Sequence, residues 1–168
     1  IQMVFENLPI AYKRGTNTKA REKMALASYY GGLTINVAGL GYVHAFAHQL
    51  GAMYRIPHGE SNAKVLPHVL MFNKLACAGR MAEMATFLNL ADEGDSELVL
   101  ADKFISAVKD LIQSLGIVPT VSELCPKDFA PIIRAAFKEA NSTYAVPKYM
   151  SHDDAEQLLL SLSGALKS

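Results

Sequence analysis

Three of the chain's five histidines fall in the stretch HAFAHQLGAMYRIPHGE, at His44, His48 and His58. Set among Ala, Leu, Met and Tyr, they fit a solvated surface poorly and point to a site. Neutral imidazole is the commonest metal ligand among side chains. Four residues along a helix advance roughly 400°, so His44 and His48 would lie about 40° apart on one face, one turn above the other. His58 follows Pro57 and precedes Gly59 at the start of a further helix, where the backbone can turn back and aim a third imidazole at the first two. A lone histidine on an apolar helix face is ordinarily a core residue bonded to a carbonyl. Three at this spacing favour a site. His68, in VLPHVL, and His152, in SHDD, stand alone and read respectively as a packed or exposed residue and as a cap-adjacent one.

A zinc protease is the first alternative, since an HxxxH with glycine three residues on is superficially similar to its motif. That chemistry needs a glutamate beside the first histidine as general base, and Ala45 stands there. The third ligand of the extended motif would fall at Tyr54. No carboxylate occurs between Lys23 and Glu60.

Helices must position these residues, because the chain reads as helix throughout. Asn17 is placed to cap a helix over NTKAREKMALASYY, with Ala20, Met24 and Ala27 at helical intervals. GYVHAFAHQLGAMY forms the next helix, which Gly51 and then Pro57 bring to a close. ESNAKVLPHVLMFNKLA follows, with Pro67 as a possible kink or new start, and AGRMAEMATFLNL forms a shorter helix of its own. DSELVLADKFISAVKDLIQSLG is the cleanest amphipathic segment, with Leu100, Phe104, Val108, Leu111 and Leu115 on one stripe and Gly116 as its stop. PKDFAPIIRAAFKEA and SHDDAEQLLLSLSGAL complete the set, the latter opened by a capping box of Ser151 and Asp154. The β-branched run from Leu33 to Val37 reads as helix with its surroundings. The expected fold class is all-α, a single helical bundle domain over residues 1–168.

Composition narrows the partners. Lys plus Arg equals Asp plus Glu at 16 each, which leaves no electrostatic footprint for nucleic acid or an acidic membrane. Cys77 and Cys125 show no CxxC spacing, so a reducing, cytoplasmic setting is the simpler reading. From Met24 to Tyr54 no residue is charged, a run long enough to span a bilayer. Its histidines and five glycines favour instead a pair of helices buried at the centre of a soluble domain. The first residues, IQMVFENLPIAYKRG, do not read as a signal peptide.

The spacing becomes specific over a longer stretch. GLGYVHAFAHQLGAMYRIPHGESNAKVLPHVLMFN, residues 39–73, resembles the signature of the iron-containing alcohol dehydrogenases, with its HxxxH, the glycine three residues on, the PHG and the following LP. LPIAYKRGTNTKAREKMALASYYGGLTINVAGLG before it and NSTYAVPKYMSHDDAEQLL near the end agree, so nearly the whole chain is covered. The resemblance implies the C-terminal helical domain of a two-domain fold shared with the dehydroquinate synthase-like proteins. Its N-terminal partner would be an α/β domain that binds NAD(P), with a metal in the cleft between them. The chain shows no glycine-rich phosphate loop, and the upstream Asp and His that complete the family's metal shell have no counterpart here.

Carried over onto matching positions, the resemblance implies His44 and His58 as metal ligands and His48 as a catalytic residue in proton transfer. Fe(2+), or Zn(2+) in its place, would act as a Lewis acid on the alcohol oxygen while hydride leaves for the nicotinamide. The expected activity of the full-length enzyme is oxidation of a primary alcohol or reduction of its aldehyde. Alone, the fragment is expected to be inactive, to bind metal weakly or not at all, and to form a homo-oligomer, either through exposed apolar surface around the histidines or by exchanging a helix between chains. A reading from another class is a stand-alone, non-catalytic helical module. The two differ in placement: a dehydrogenase brings the three histidines to one accessible concave face, and a packing role disperses them inside the core.

Overall fold

The computed structural model describes residues 1–165, in which the chain forms seven α-helices and a short 3-10 turn and no strand. These are α1 (Gln2–Lys13), α2 (Thr18–Ala38), α3 (Tyr42–Tyr54), α4 (His58–Phe87), α5 (Glu97–Ser114), the 3-10 turn (Pro126–Asp128), α6 (Phe129–Thr143) and α7 (His152–Leu162). The all-α expectation holds. Leu166, at the end of the last expected helix, lies outside the described residues, as do the other residues of 166–168.

Several boundaries follow the expected local chemistry. The Asn17 side chain accepts a hydrogen bond from the Ala20 amide and opens α2. Ser151 and Asp154 form a reciprocal capping box at the start of α7. The segment from Leu33 to Val37 is helical, as read from its surroundings. α1 was not foreseen, and Pro9 lies within it.

The two helices expected on either side of Cys77 are instead one 30-residue element, α4. Its irregularity falls at Cys77 (φ −124°, ψ 15°), the residue between the two expected segments, and not at Pro67. Pro67 is itself fully buried. This long helix is the spine of the fold, because it crosses α3 and packs along α5. Its first half sends Val65 and Val69 into a core built with Tyr42, Phe46 and Leu50 of α3, Ile132 and Ile133 of α6, and Leu158, Leu159 and Leu162 of α7. Its second half sends Met81 and Ala85 into another core with Phe104, Ile105, Val108 and Ile112 of α5. The α5 stripe is thus rotated from the one expected: Ala101, Ile105 and Ile112 are buried, and Leu100, Leu111 and Leu115 only partly so.

The uncharged run from Met24 to Tyr54 divides into two different environments. α3 is deeply packed, but α2 is exposed along most of its length, with only Ala20 buried. The expectation of two buried helices is therefore corrected for α2, whose principal contact is α1. Between the α1–α2 pair and the α4–α5 pair lies a cavity of about 890 Å³, bordered by Phe5, Leu8, Tyr30, Leu66 and Phe104. None of the described helices is long and apolar enough to cross a membrane.

Candidate functional site

α3 sets the histidine pair by what it buries. Tyr42, Ala45, Phe46, Ala47 and Leu50 face the core, and at 100° per residue this leaves His44 and His48 on the opposite side of the helix. Their ring centres are 5.8 Å apart. The helix is anchored from within by Tyr42, whose hydroxyl donates to Asn141 Oδ1 at 3.1 Å and accepts from the Met150 amide at 3.0 Å.

His58 arrives through a tight reversal. α3 ends at Arg55 in the left-handed region (φ 56°, ψ 29°), and Pro57 (φ −54°, ψ 141°) then feeds directly into α4. Gly51 does not end α3, which runs on to Tyr54. Its part is close approach: a Cβ there would meet the Ile56 carbonyl oxygen at 3.3 Å. The fully buried Ser61 donates to that same carbonyl at 3.3 Å and ties the turn to α4. His58 is thereby the first residue of α4, with its ring centre 5.6 Å from that of His44 and 5.3 Å from that of His48, the latter pair stacked. All three rings thus meet at one place that is open to solvent on the His58 side.

The environment of the cluster favours neutral imidazole at His44. Burial pushes its pKa below the ordinary value, and the neighbouring His48 and His58 push the same way, against an opposing pull from Glu139. Neutral imidazole is the form that binds a metal. Two imidazoles on one ion, with metal–nitrogen bonds of about 2.0 Å, place their ring centres roughly 5 Å apart. The 5.6 Å separation of His44 and His58 is close to that, so the pair fits half of a shell. Among the described residues no group of three His, Cys, Asp or Glu is arranged to hold a metal ion. The Asn62 amide lies 3.2 Å from His58 Nε2 and donates to the His58 carbonyl at 2.9 Å.

A carboxylate that sequence reasoning missed comes from α6. Glu139 Oε1 lies 2.7 Å from His48 Nδ1. Tyr144 donates its hydroxyl to the same oxygen at 2.6 Å, and Gln49 donates to Oε2 at 3.3 Å. Burial and the hydrogen bond to Glu139 raise the Tyr144 hydroxyl to about 12. Glu139 stands 91 residues from its histidine, and no local spacing marks it.

The two isolated histidines lie elsewhere. His68 Nε2 donates to the Pro119 carbonyl at 2.9 Å, a packed role. His152 follows the Ser151 cap and sets its ring edge-on to Phe137, 5.2 Å between centres.

Residues 1–163 match the model of the Fe-containing alcohol dehydrogenase family, C-terminal. The 1,3-propanediol dehydrogenase of Citrobacter freundii is 40% identical over 144 residues, covering 84% of this chain and 37% of that protein. The NAD-dependent methanol dehydrogenase of Bacillus methanolicus is 32% identical over 161 residues, 95% of this chain and 42% of that one. Among solved structures, a 1,3-propanediol oxidoreductase superposes with a TM-score of 0.89 at 34% identity, over 96% of this chain and 42% of its own. An alcohol dehydrogenase from Oenococcus oeni gives 0.90 at 32% identity, over the same 96% and 42%. The chain spans about two-fifths of the length of these relatives. With a histidine cluster at the junction of α3 and α4 and similarity along nearly its whole length, the chain belongs to the Fe-containing alcohol dehydrogenase family and corresponds to that family's C-terminal region.

Proposed function

We propose that residues 1–168 form the helical metal-binding domain of an NAD(P)-dependent alcohol dehydrogenase, which oxidises a small primary alcohol or reduces its aldehyde. The observation that carries this reading is the meeting of His44, His48 and His58 within 5.3–5.8 Å of one another on an accessible face. Relatives named for 1,3-propanediol and methanol support the substrate class. The nucleotide would be held by an N-terminal α/β domain, which has no counterpart among these helices.

In this reading His44 and His58 would hold a divalent iron, or zinc in its place, where Lewis-acid polarisation of the alcohol oxygen would be the chemistry supplied. Two neutral imidazoles bind an ion weakly by themselves, so tight binding needs the further ligands of the longer protein. His48, one turn from His44, exchanges the substrate proton. Hydride transfer requires nicotinamide and alcohol in near-attack geometry, which the helical domain cannot arrange by itself. Two cysteines without a disulfide between them fit a reducing compartment such as the cytoplasm. Homo-oligomers are the expected assembly of the complete enzyme.

The test compares the 168-residue chain with the longer protein that carries the nucleotide domain. The longer protein is expected to reduce NAD or NADP with 1,3-propanediol, methanol or similar alcohols and to retain metal through dialysis. H44A and H58A each should lose both properties. The 168-residue chain should show no turnover and give up its metal to a chelator. Turnover by the chain alone, or full metal content in the H44A/H58A double variant, would overturn the assignment. The other reading is a non-catalytic helical module that keeps the histidines for metal binding or packing. An inactive longer protein would support it.

A further inference from the structure

The geometry points to Glu139 as a positioning residue for His48: its carboxylate, fixed by Tyr144 and Gln49, holds the neutral imidazole in the tautomer protonated at Nδ1 and leaves Nε2 with its lone pair. This deepens the reading of His48 as the proton-exchanging group and rests on it.

An ionised carboxylate has only acceptor sites, so the nitrogen that faces Glu139 Oε1 at 2.7 Å must carry a hydrogen. Which nitrogen of a neutral histidine bears the proton is decided by the hydrogen bond that the other makes. Without such a partner, a solvated imidazole favours protonation at Nε2, so the arrangement here imposes the opposite form. Carboxylate partners of this kind fix both ring tautomer and ring orientation.

Glu139 is itself tightly held. Its Oε1 also accepts from Tyr144 at 2.6 Å and its Oε2 from Gln49 at 3.3 Å. All of these donors are protonated near neutral pH, so the carboxylate has no reason to turn away from His48. The assembly joins α3, which supplies His48 and Gln49, to α6, which supplies Glu139 and is followed directly by Tyr144. Its position is set by the core beneath, where α3 and α6 pack through Phe46, Leu50, Ile132 and Ile133.

The chemical consequence concerns the edge of the ring that lies away from Glu139. A bare Nε2 can accept a proton from a substrate hydroxyl and later return it. With the proton on Nε2 that edge of the ring could only donate. The carboxylate thus selects which of the two nitrogens can serve, without touching the substrate.

The test reads the tautomer directly. The 168-residue chain, labelled with 15N at histidine and kept in chelator, is examined by long-range 1H–15N correlation at about pH 9, above the ordinary histidine pKa. H48Q assigns the signals by their loss. The expected pattern for His48 is a protonated, pyrrole-type Nδ1 and a pyridine-type Nε2. A dominant Nε2–H form in the unaltered chain overturns the proposal, and this needs no variant to fold. In E139L, with helix content checked by circular dichroism, the population should move at least about twofold toward Nε2–H; an unchanged ratio in a folded variant also overturns it. In the longer enzyme, E139L should lower kcat on the order of tenfold with KM nearly constant. The two layers fail separately. Full activity in H48Q would remove the proton-exchange role and leave the tautomer result standing, whereas an Nε2–H His48 would remove the positioning role and leave the dehydrogenase reading intact.

Discussion

At the scale of single residues, two histidines show how position decides protonation. His44 and His68 both have pKa values pushed below the ordinary one, chiefly by burial. Their surroundings differ. His44 has two other imidazoles beside it, whereas His68 has the Pro119 carbonyl, which opposes the shift, and Lys109, which adds to it. In the unfolded chain His68 would titrate near about 6.5. The unfolded state therefore binds more protons than the folded state between the lowered value and that one. Stability should rise with pH through this window, be complete above it, and be lost as pH falls below about 6.5. The carboxylates at Asp95, Glu123 and Asp154 are shifted down, so their stabilisation is fully present above about pH 5.5 and adds little to the change between the two pH values. Urea unfolding midpoints at pH 7.5 and 5.5 check this. The unaltered chain should lose stability at the lower pH and H68Q should lose less. An equal pH effect in both would exclude His68 as a source.

At the scale of elements, the ends and faces of the helices carry the fold. α7 is short, at 11 residues, and it begins with a capping box in which Ser151 Oγ accepts from the Asp154 amide at 3.1 Å while Asp154 Oδ2 accepts from the Ser151 amide at 3.0 Å. Its Leu158, Leu159 and Leu162 close the core that supports α3. A helix so short depends on its cap and its packing more than on propensity. S151A should therefore lower the unfolding free energy by about 1 kcal/mol. A denaturant titration reads this as a lower midpoint at constant slope, and no change would mean that water replaces the serine without loss. α4 needs no such help, since it is packed against α3 at one end and α5 along its length.

At the scale of the whole molecule, the α1–α2 pair meets the second core through Phe5 of α1, and α2 itself is largely uncovered. Along α2, Tyr29 is 62% and Val37 91% exposed, with Tyr30, Leu33 and Ile35 also open, and no charge lies between Met24 and Tyr54. Contiguous apolar surface of this kind marks a place where something else packs. With zero formal net charge, little repulsion keeps two copies apart. The isolated chain should therefore self-associate through α2, not through the histidine face. Light scattering at roughly tens of micromolar should give a mass above the 18.3 kDa of one chain, falling toward it in an L33K/V37K double variant. A strict monomer, or an unchanged mass in the variant, would rule out this face.

Much of this was legible in the sequence because it depends on neighbours a few residues apart. Helix type, the Asn17 and Ser151 caps, and the phase of His44 and His48 all follow from the 3.6-residue period and from side chains that bond their own backbone. The PHG turn was legible for the same reason, since a proline at 57 constrains the chain on both sides. Tertiary structure alone decided the rest. Glu139 reaches His48 from α6, across 91 residues that no local pattern bridges, and Tyr144 at the end of that helix bonds Glu139 in turn. The fusion of two expected helices into α4 depends on what packs along both halves. So does the exposure of α2 from Met24 onward, an uncharged stretch with the composition of a buried segment: hydrophobicity states what a segment would bury, and only the arrangement of its neighbours determines whether they cover it.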